Sequence, residues 1–306
     1  MKTSILISKI RRGMSLPNVE NRFSDLTILD LANDELQSSI LPWLFALRED
    51  FLVANETYAL NTLSEGKLRF PAYSSGRSLK DLWVSENDVS WKPLTRVGLE
   101  SAWVFDQTNL GVPSSFWLQG DEIFVFPKPS ATEVGSLKLF YHSLPNSLVL
   151  EERSVKIASI LNENTVTVSL TPSFFAVNET LDLINQQPDY QVLLRSQKIL
   201  SKTNTSITFD GYDLLNPLAD NGVEVGQILC LSGETVVTPI PSEVNQLLIQ
   251  SVIIRILESM NAPQQLSLAL ERFNRLKIQL RDLLTPRAEN RLLKLRPNYA
   301  FLRRGL

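Results

Sequence analysis

The sequence predicts an α+β protein. In that reading a helical body, made of N-terminal helices and a C-terminal helical hairpin, carries a large antiparallel β insertion and ends in an extended basic tail. Three observations point there. Apolar residues recur at helical spacing near both ends of the chain, and the period falls to two across the middle, where Gly, Pro, Asn and Ser punctuate short runs. The last residues are basic and broken by prolines.

Near the N-terminus, Leu26, Leu29, Leu36, Ile40, Leu44, Leu47 and Phe51 recur at spacings of three, four or seven behind Ser24 or Asp25 as N-cap. This predicts a helix over 25–55, kinked near Ile40 because Pro42 lacks the N–H a helix interior needs. From Leu68 the runs "KLRFPAY", "KDLWVSE", "FWLQGDEIFVFPKP" and "GSLKLFYHSL" read as strands, with "QGDE" a tight turn. A second β stretch follows, from "SVKIASI" through "NTVTVSL", "ETLDLI", "YQVLLRSQKIL" and "TSITFDGY" to "GQILCLSGETVVTPI". Short strands at close spacing suggest a small barrel or sandwich. Helix returns at "PSEVNQLLIQSVIIRILESM", breaks at "NAP", and resumes with Pro263 in its first turn and Leu266, Leu270, Phe273, Leu276 and Leu280 in one stripe. The segments are thus 1–60 (helical), 61–150 and 151–240 (β-rich), 241–285 (helical hairpin) and 286–306 (tail).

Charge divides the chain unevenly. The net charge is −3, but residues 271–306 hold ten Lys and Arg against three acids, a local +7, which leaves −10 for residues 1–270. With 43% hydrophobic and 21% charged residues the chain has enough apolar surface for a real core. Cys230 is the only cysteine, so no internal disulfide can form. The run "ILI" near the N-terminus is too short for a leader core, and no stretch nears the roughly 20 apolar residues of a spanning helix. Synthesis and folding in a cytoplasm, without a membrane partner, are expected.

Little in the sequence carries chemistry. His142, the one histidine, would need further ligands to hold zinc, and a single cysteine leaves mainly carboxylates to supply them. It reads as a histidine on a sheet surface. No G-x-S-x-G, G-x-x-x-x-G-K-[ST] or G-x-G-x-x-G occurs. Asp34-Glu35, Asp121-Glu122 and Glu151-Glu152 are adjacent pairs, and neighbouring residues on a strand point to opposite faces, so they read as solvated acids. Trp83, Trp91, Trp103 and Trp117 fall within 35 residues and suit core or interface anchors better than a sugar platform. Catalytic, cofactor-binding and metal-binding residues are therefore not expected.

Four stretches occur in an order that resembles the head-tail connector, or neck adaptor, proteins of tailed double-stranded DNA bacteriophages. They are "RFSDLTILDLANDELQSSILPWLFALREDFLV", "KLRFPAYSSGRSLKDLWV", "FWLQGDEIFVFPKP" and "LLTPRAENRLLKLRPNYAFLRRGL". Lys80 stands where the family pattern has arginine, and residues 153–240 match nothing in it. The resemblance implies a structural virion protein, not an enzyme. Such a protein forms a homo-oligomeric ring, commonly of 12 copies, that joins the portal to the tail and lines the channel through which DNA passes without sequence-specific binding. The helical body would form the ring wall and the β insertion would face other neck or tail proteins. An acidic wall would let DNA slide, where a basic one would hold it by counterion release.

The tail interleaves Leu292, Leu293, Leu295, Tyr299, Phe301 and Leu302 with its arginines, unlike a nucleic-acid arm of unbroken charge. It reads as a docking strap for the portal protein, with Leu292, Leu295, Tyr299 and Phe301 as anchors and Arg287, Arg291, Arg296, Arg303 and Arg304 pairing acids on the partner. Two other classes remain open at this stage: a DNA-binding packaging or head-completion factor that uses the basic end, and a tail-associated glycan-binding or glycan-hydrolysing protein.

Overall fold

A computed structural model describes residues 1–14, 22–48, 52–63, 65–87, 89–102, 109–185, 192–210 and 222–284. Helix α1 (Thr3–Met14) buries Leu6, Ile7, Ile10 and Met14, which share one face at spacings of three and four. Helix α2 (Asp25–Glu35) is capped by Ser24, whose hydroxyl accepts from the Thr27 N–H at 3.1 Å. A π-helical turn, Leu36–Ile40, leads into α3 (Leu41–Leu47), whose first turn holds Pro42. The helical run is continuous here, with the Leu41 N–H bonding the Leu36 carbonyl, and the shifted register of the π turn accommodates a residue that has no N–H to donate. Near the other end, α4 (Asn245–Ser259) is buried on nearly every side, and α5 (Pro263–Leu284) lays Leu266, Ala269, Phe273, Leu276 and Leu280 on the same core. Gln250 ties the two by donating from Nε2 to the Ala269 carbonyl at 3.2 Å.

The expected helix over 25–55 is cut short. Residues Val53–Ala59 form a strand, β1, because Val53, Asn55 and Thr57 alternate with Ala54, Glu56 and Tyr58 and suit a half-buried sheet edge. It is followed by β2 (Lys67–Arg69), β3 (Ser74–Ser85), β4 (Lys92–Pro93), β5 (Thr95–Arg96), β6 (Ser115–Gln119), β7 (Glu122–Phe126) and β8 (Ser136–Ser143). These make two four-stranded sheets, ordered β1-β8-β3-β4 and β2-β7-β6-β5. Their inner faces share one core in which Leu82, Val84, Leu137, Leu139 and Tyr141 meet Leu68, Phe116, Ile123 and Val125. The β6–β7 hairpin turns at Gly120-Asp121, with Gly120 at φ 62°, a left-handed value that glycine adopts without steric cost.

The chain then passes through β9 (Ser147–Leu148) to β10 (Ser154–Asn162), β11 (Thr165–Val168), β12 (Thr180–Ile184), β13 (Val192–Lys202), β14 (Ser206–Phe209) and β15 (Ile228–Leu231). These last six close into a barrel ordered β10-β11-β14-β13-β12-β15, every neighbouring pair antiparallel. Bulges in β10 and β13 bend the strands enough for closure. Ile157, Val166, Phe175, Leu181, Ile199, Ile207 and Leu229 fill the interior and leave a void of only about 10 Å³. Among the described residues the barrel is a packed core, with no chamber for a ligand. After it, β16 (Glu234–Thr235) pairs in parallel with β9.

The expected helical body with a hairpin and an inserted β segment is overturned. The molecule is a mixed α/β protein with helix and strand each at 35%, and its dominant closed unit is the six-stranded barrel. The physical reason lies in the cores. The barrel interior and the paired sheets each bury their own apolar cluster, separate from the one the helices share. The β segments thus stand as folded units rather than as an excursion from a helical frame.

Candidate interaction surface

Among the described residues, strand β1 is the edge of its sheet and bonds to β8 alone. The Ser143 N–H donates to the Leu52 carbonyl and the Leu60 N–H to the Gly135 carbonyl, both at 2.9 Å, which sets the register. Residues in step with Leu52 and Leu60, namely Ala54, Glu56 and Tyr58, turn their backbone groups toward β8. Those of Val53, Asn55, Thr57 and Ala59 therefore point outward, in keeping with the two-residue alternation of an antiparallel ladder. Asn55, Thr57 and Ala59 are also exposed.

The other edges of these two sheets are blunted, as isolated edges usually are. β4 is two residues long and ends in Pro93, β5 is the pair Thr95–Arg96, and β2 is three residues bounded by Lys67 and Arg69. β1 runs seven residues with no proline, no lysine and no bulge.

On the outer face beside this edge lies a row of half-buried rings. Phe45 meets His142 edge-on at 5.3 Å between centroids, Trp83 meets Phe140 at 5.7 Å, and Lys138 Nζ sits 4.4 Å above the Trp91 ring. The Trp83 Nε1 and His142 Nδ1 atoms are buried without a hydrogen-bond partner among the described residues. On the inner side, Glu56 accepts from the hydroxyls of Tyr58 and, at 2.8 Å, Tyr141. Burial, and then the Glu56 carboxylate, push both phenols well above the ordinary tyrosine value. Among the described residues, none forms an ion pair with Glu56.

A second polar cluster sits where the barrel meets the sheets. Asp182 on β12 is fully buried. It accepts from Asn146 Nδ2 (2.7 Å), the Ser196 N–H (2.8 Å), Ser232 Oγ (2.9 Å) and the Gly233 N–H (3.0 Å). The Tyr73 hydroxyl bridges Ser196 and Ser232, and Arg195 lies 5.0 Å over the Tyr73 ring while donating to Asn146 Oδ1 at 3.2 Å. Four donors saturate the carboxylate, so the cluster is a joint holding the barrel mouth to the segment before β9. A third cluster locks the helices: Glu35, from the "LANDEL" stretch, accepts from Ser251 Oγ and from Arg255 Nε at 2.6 Å.

The sequence-derived sites fall as follows. Arg287, Arg291, Leu292, Leu295, Arg296, Tyr299, Phe301, Arg303 and Arg304 all lie outside the described residues, as does Trp103. The remaining tryptophans do not converge: Trp117 stacks on Phe124 in the other sheet, away from the row holding Trp83 and Trp91. Of the adjacent acids, Glu35 is a buried helix-locking residue instead of a solvated one. Among the described residues no group of three His, Cys, Asp or Glu side chains has metal-binding geometry, and no helix is long and apolar enough to cross a membrane. The edge strand and Asp182 escaped the sequence reading. The alternation in "VANETYA" was the available signal for the first, while nothing local marks Asp182, whose four donors come from three separate segments.

No protein-family profile matches the chain, and no curated protein matches it.

Proposed function

We propose that the chain is a structural subunit of a ring at the neck of a tailed phage, joining the portal vertex to the tail around the DNA channel. The observation that carries the reading is the ordered set of four family-like stretches. The first contains Glu35, which bonds Ser251 and Arg255 on α4, and α5, packed on α4, runs straight into the last. The two ends of the pattern therefore belong to one packed layer, and the basic tail follows directly from it. The charge division supports the same reading: an acidic body of −10 lets DNA pass, and a tail of mixed leucines and arginines suits an acidic, grooved protein receptor. On this reading the tail residues from Arg287 to Arg304 grip the portal, and the assembled protein resides in the virion neck.

The test has two parts. Electron microscopy of the purified chain should show closed rings, about 12-fold. Removal of residues 286–306 should leave a folded protein that no longer joins filled heads to tails. Truncated protein that still completes particles would refute the portal-docking role. Tight, steeply salt-dependent binding of the full chain to duplex DNA would favour a packaging factor instead.

A further inference from the structure

We propose that the free edge of β1 accepts an extended strand, residues 291–296 of the C-terminal tail, from a second copy of this chain. The acceptor is prepared in three respects. It presents outward-facing backbone groups at Val53, Asn55, Thr57 and Ala59, in a strand that carries none of the devices that close the neighbouring edges. It is unbulged over seven residues, enough to template a strand of six. On one side of it stands Glu56, a carboxylate held by two tyrosine hydroxyls and by no cation among the described residues.

The sequence "RLLKLR" fits that edge by charge and period. Leu293 and Leu295 alternate with Lys294 and Arg296, and Pro297, which cannot donate to a ladder, ends the run. Placing Lys294 opposite Glu56 in an antiparallel pair makes this the non-hydrogen-bonded pair on that side of β1, where side chains approach most closely. Leu293 and Leu295 then fall on the other face, next to Thr57 and Asn55. These two residues pair with Lys138 and Phe140 in the aromatic row. The added strand supplies a cation to Glu56 and covers part of that row.

A donor strand and an acceptor edge are different surfaces, so contact between copies is head-to-tail, the kind that closes into rings. The inference rests on the ring reading and narrows its portal contact: Arg291, Leu292, Leu295 and Arg296 go to the neighbouring subunit instead of the portal, and Tyr299, Phe301, Arg303 and Arg304 remain for the portal.

The test uses full-length protein in which Cys230 is replaced by alanine. One preparation carries Thr57→Cys, the other Leu293→Cys. Mixing and mild oxidation should give a disulfide-linked heterodimer, detected without reductant. Absence of that product overturns the proposal, as does a link that forms only when both cysteines share one chain, which would mean that the tail covers its own edge. Two further variants probe the edge. Thr57→Pro removes an N–H that bonds nothing among the described residues, and Lys294→Glu sets two acids together. Each should weaken self-association about tenfold or more in sedimentation, equal to about 1.4 kcal/mol. Unchanged association in both overturns the proposal. Rings that form without the cross-link sink this inference and spare the neck reading. A cross-link in a protein that cannot join heads to tails does the reverse.

Discussion

Glu35 Oε1 lies 2.6 Å from Arg255 Nε across 220 residues of sequence, and Ser251 donates to its other oxygen. The Glu35 side chain is 9% exposed and that of Arg255 54%, so the acid, not the base, bears the cost of desolvation. Glu35→Ala should destabilise the helical layer by about 2 kcal/mol, the scale of hydrogen bonds to a buried charge. Arg255→Ala should cost more, about 3 kcal/mol, because it leaves the buried carboxylate without its cation. Urea unfolding followed by helical circular dichroism separates the two, and equal losses would contradict this assignment.

Asp182→Asn should be more damaging than its small size change suggests. An amide group would turn a donor toward sites that now receive four donors, leaving at least one buried N–H or O–H unpaired at about 1–3 kcal/mol. Hydrogen exchange should speed up at Ser196 and Gly233, whose N–H groups bond this carboxylate. Unchanged exchange there would remove Asp182 from the joint.

Gly135 begins the turn into β8 at φ 123°, and a Cβ there would stand 2.2 Å from the Ser85 carbonyl oxygen. Gly135→Ala should therefore cost more than about 2 kcal/mol, because backbone must shift. Gly98→Ala, with nothing within 4 Å of the added carbon, should change stability by less than about 1 kcal/mol. Thermal unfolding of the pair checks the contrast.

Cys230 is fully buried on β15, and burial pushes its thiol up to about 12. Below pH 9 the thiol is protonated in folded and unfolded chains alike. Above that the unfolded chain loses the proton and the folded one keeps it, so the folded state binds more protons and stability falls as pH rises from about 9 toward 12. The slope is at most about 1.4 kcal/mol per pH unit. A thiol-reactive dye at pH 8 should leave the folded protein untouched and label it in denaturant. Cys230→Ala should flatten the alkaline loss.

Much of the element list was legible because period and punctuation are local. The break before Pro263, the turn at Gly120-Asp121 and the strands from Ser154 onward all carry their own signals. What was not legible depends on long-range pairing. The helical stripe through Leu44 and Leu47 appeared to run on to Asn55, and only the ladder with β8 shows that β1 begins at Val53. The weight of the β units was hidden for the same reason: helices bracket them in sequence, but barrel closure is a relation between strands far apart along the chain. The functional expectation rests on resemblance alone, and the tail that would carry it lies outside the described residues.

The barrel's first and last strands are neighbours: Ser154 pairs with Cys230, and just outside them Ser147 pairs with Glu234. The polypeptide therefore goes in and comes out through one doorway, latched by Arg153, which donates to Glu234 at 2.7 and 3.0 Å. A unit whose chain enters and leaves side by side is a cassette. It can be exchanged for another, or cut away and bridged by a few residues, while the sheets and helices keep their own cores. What the barrel presents can thus change without redesigning the two cores that carry it.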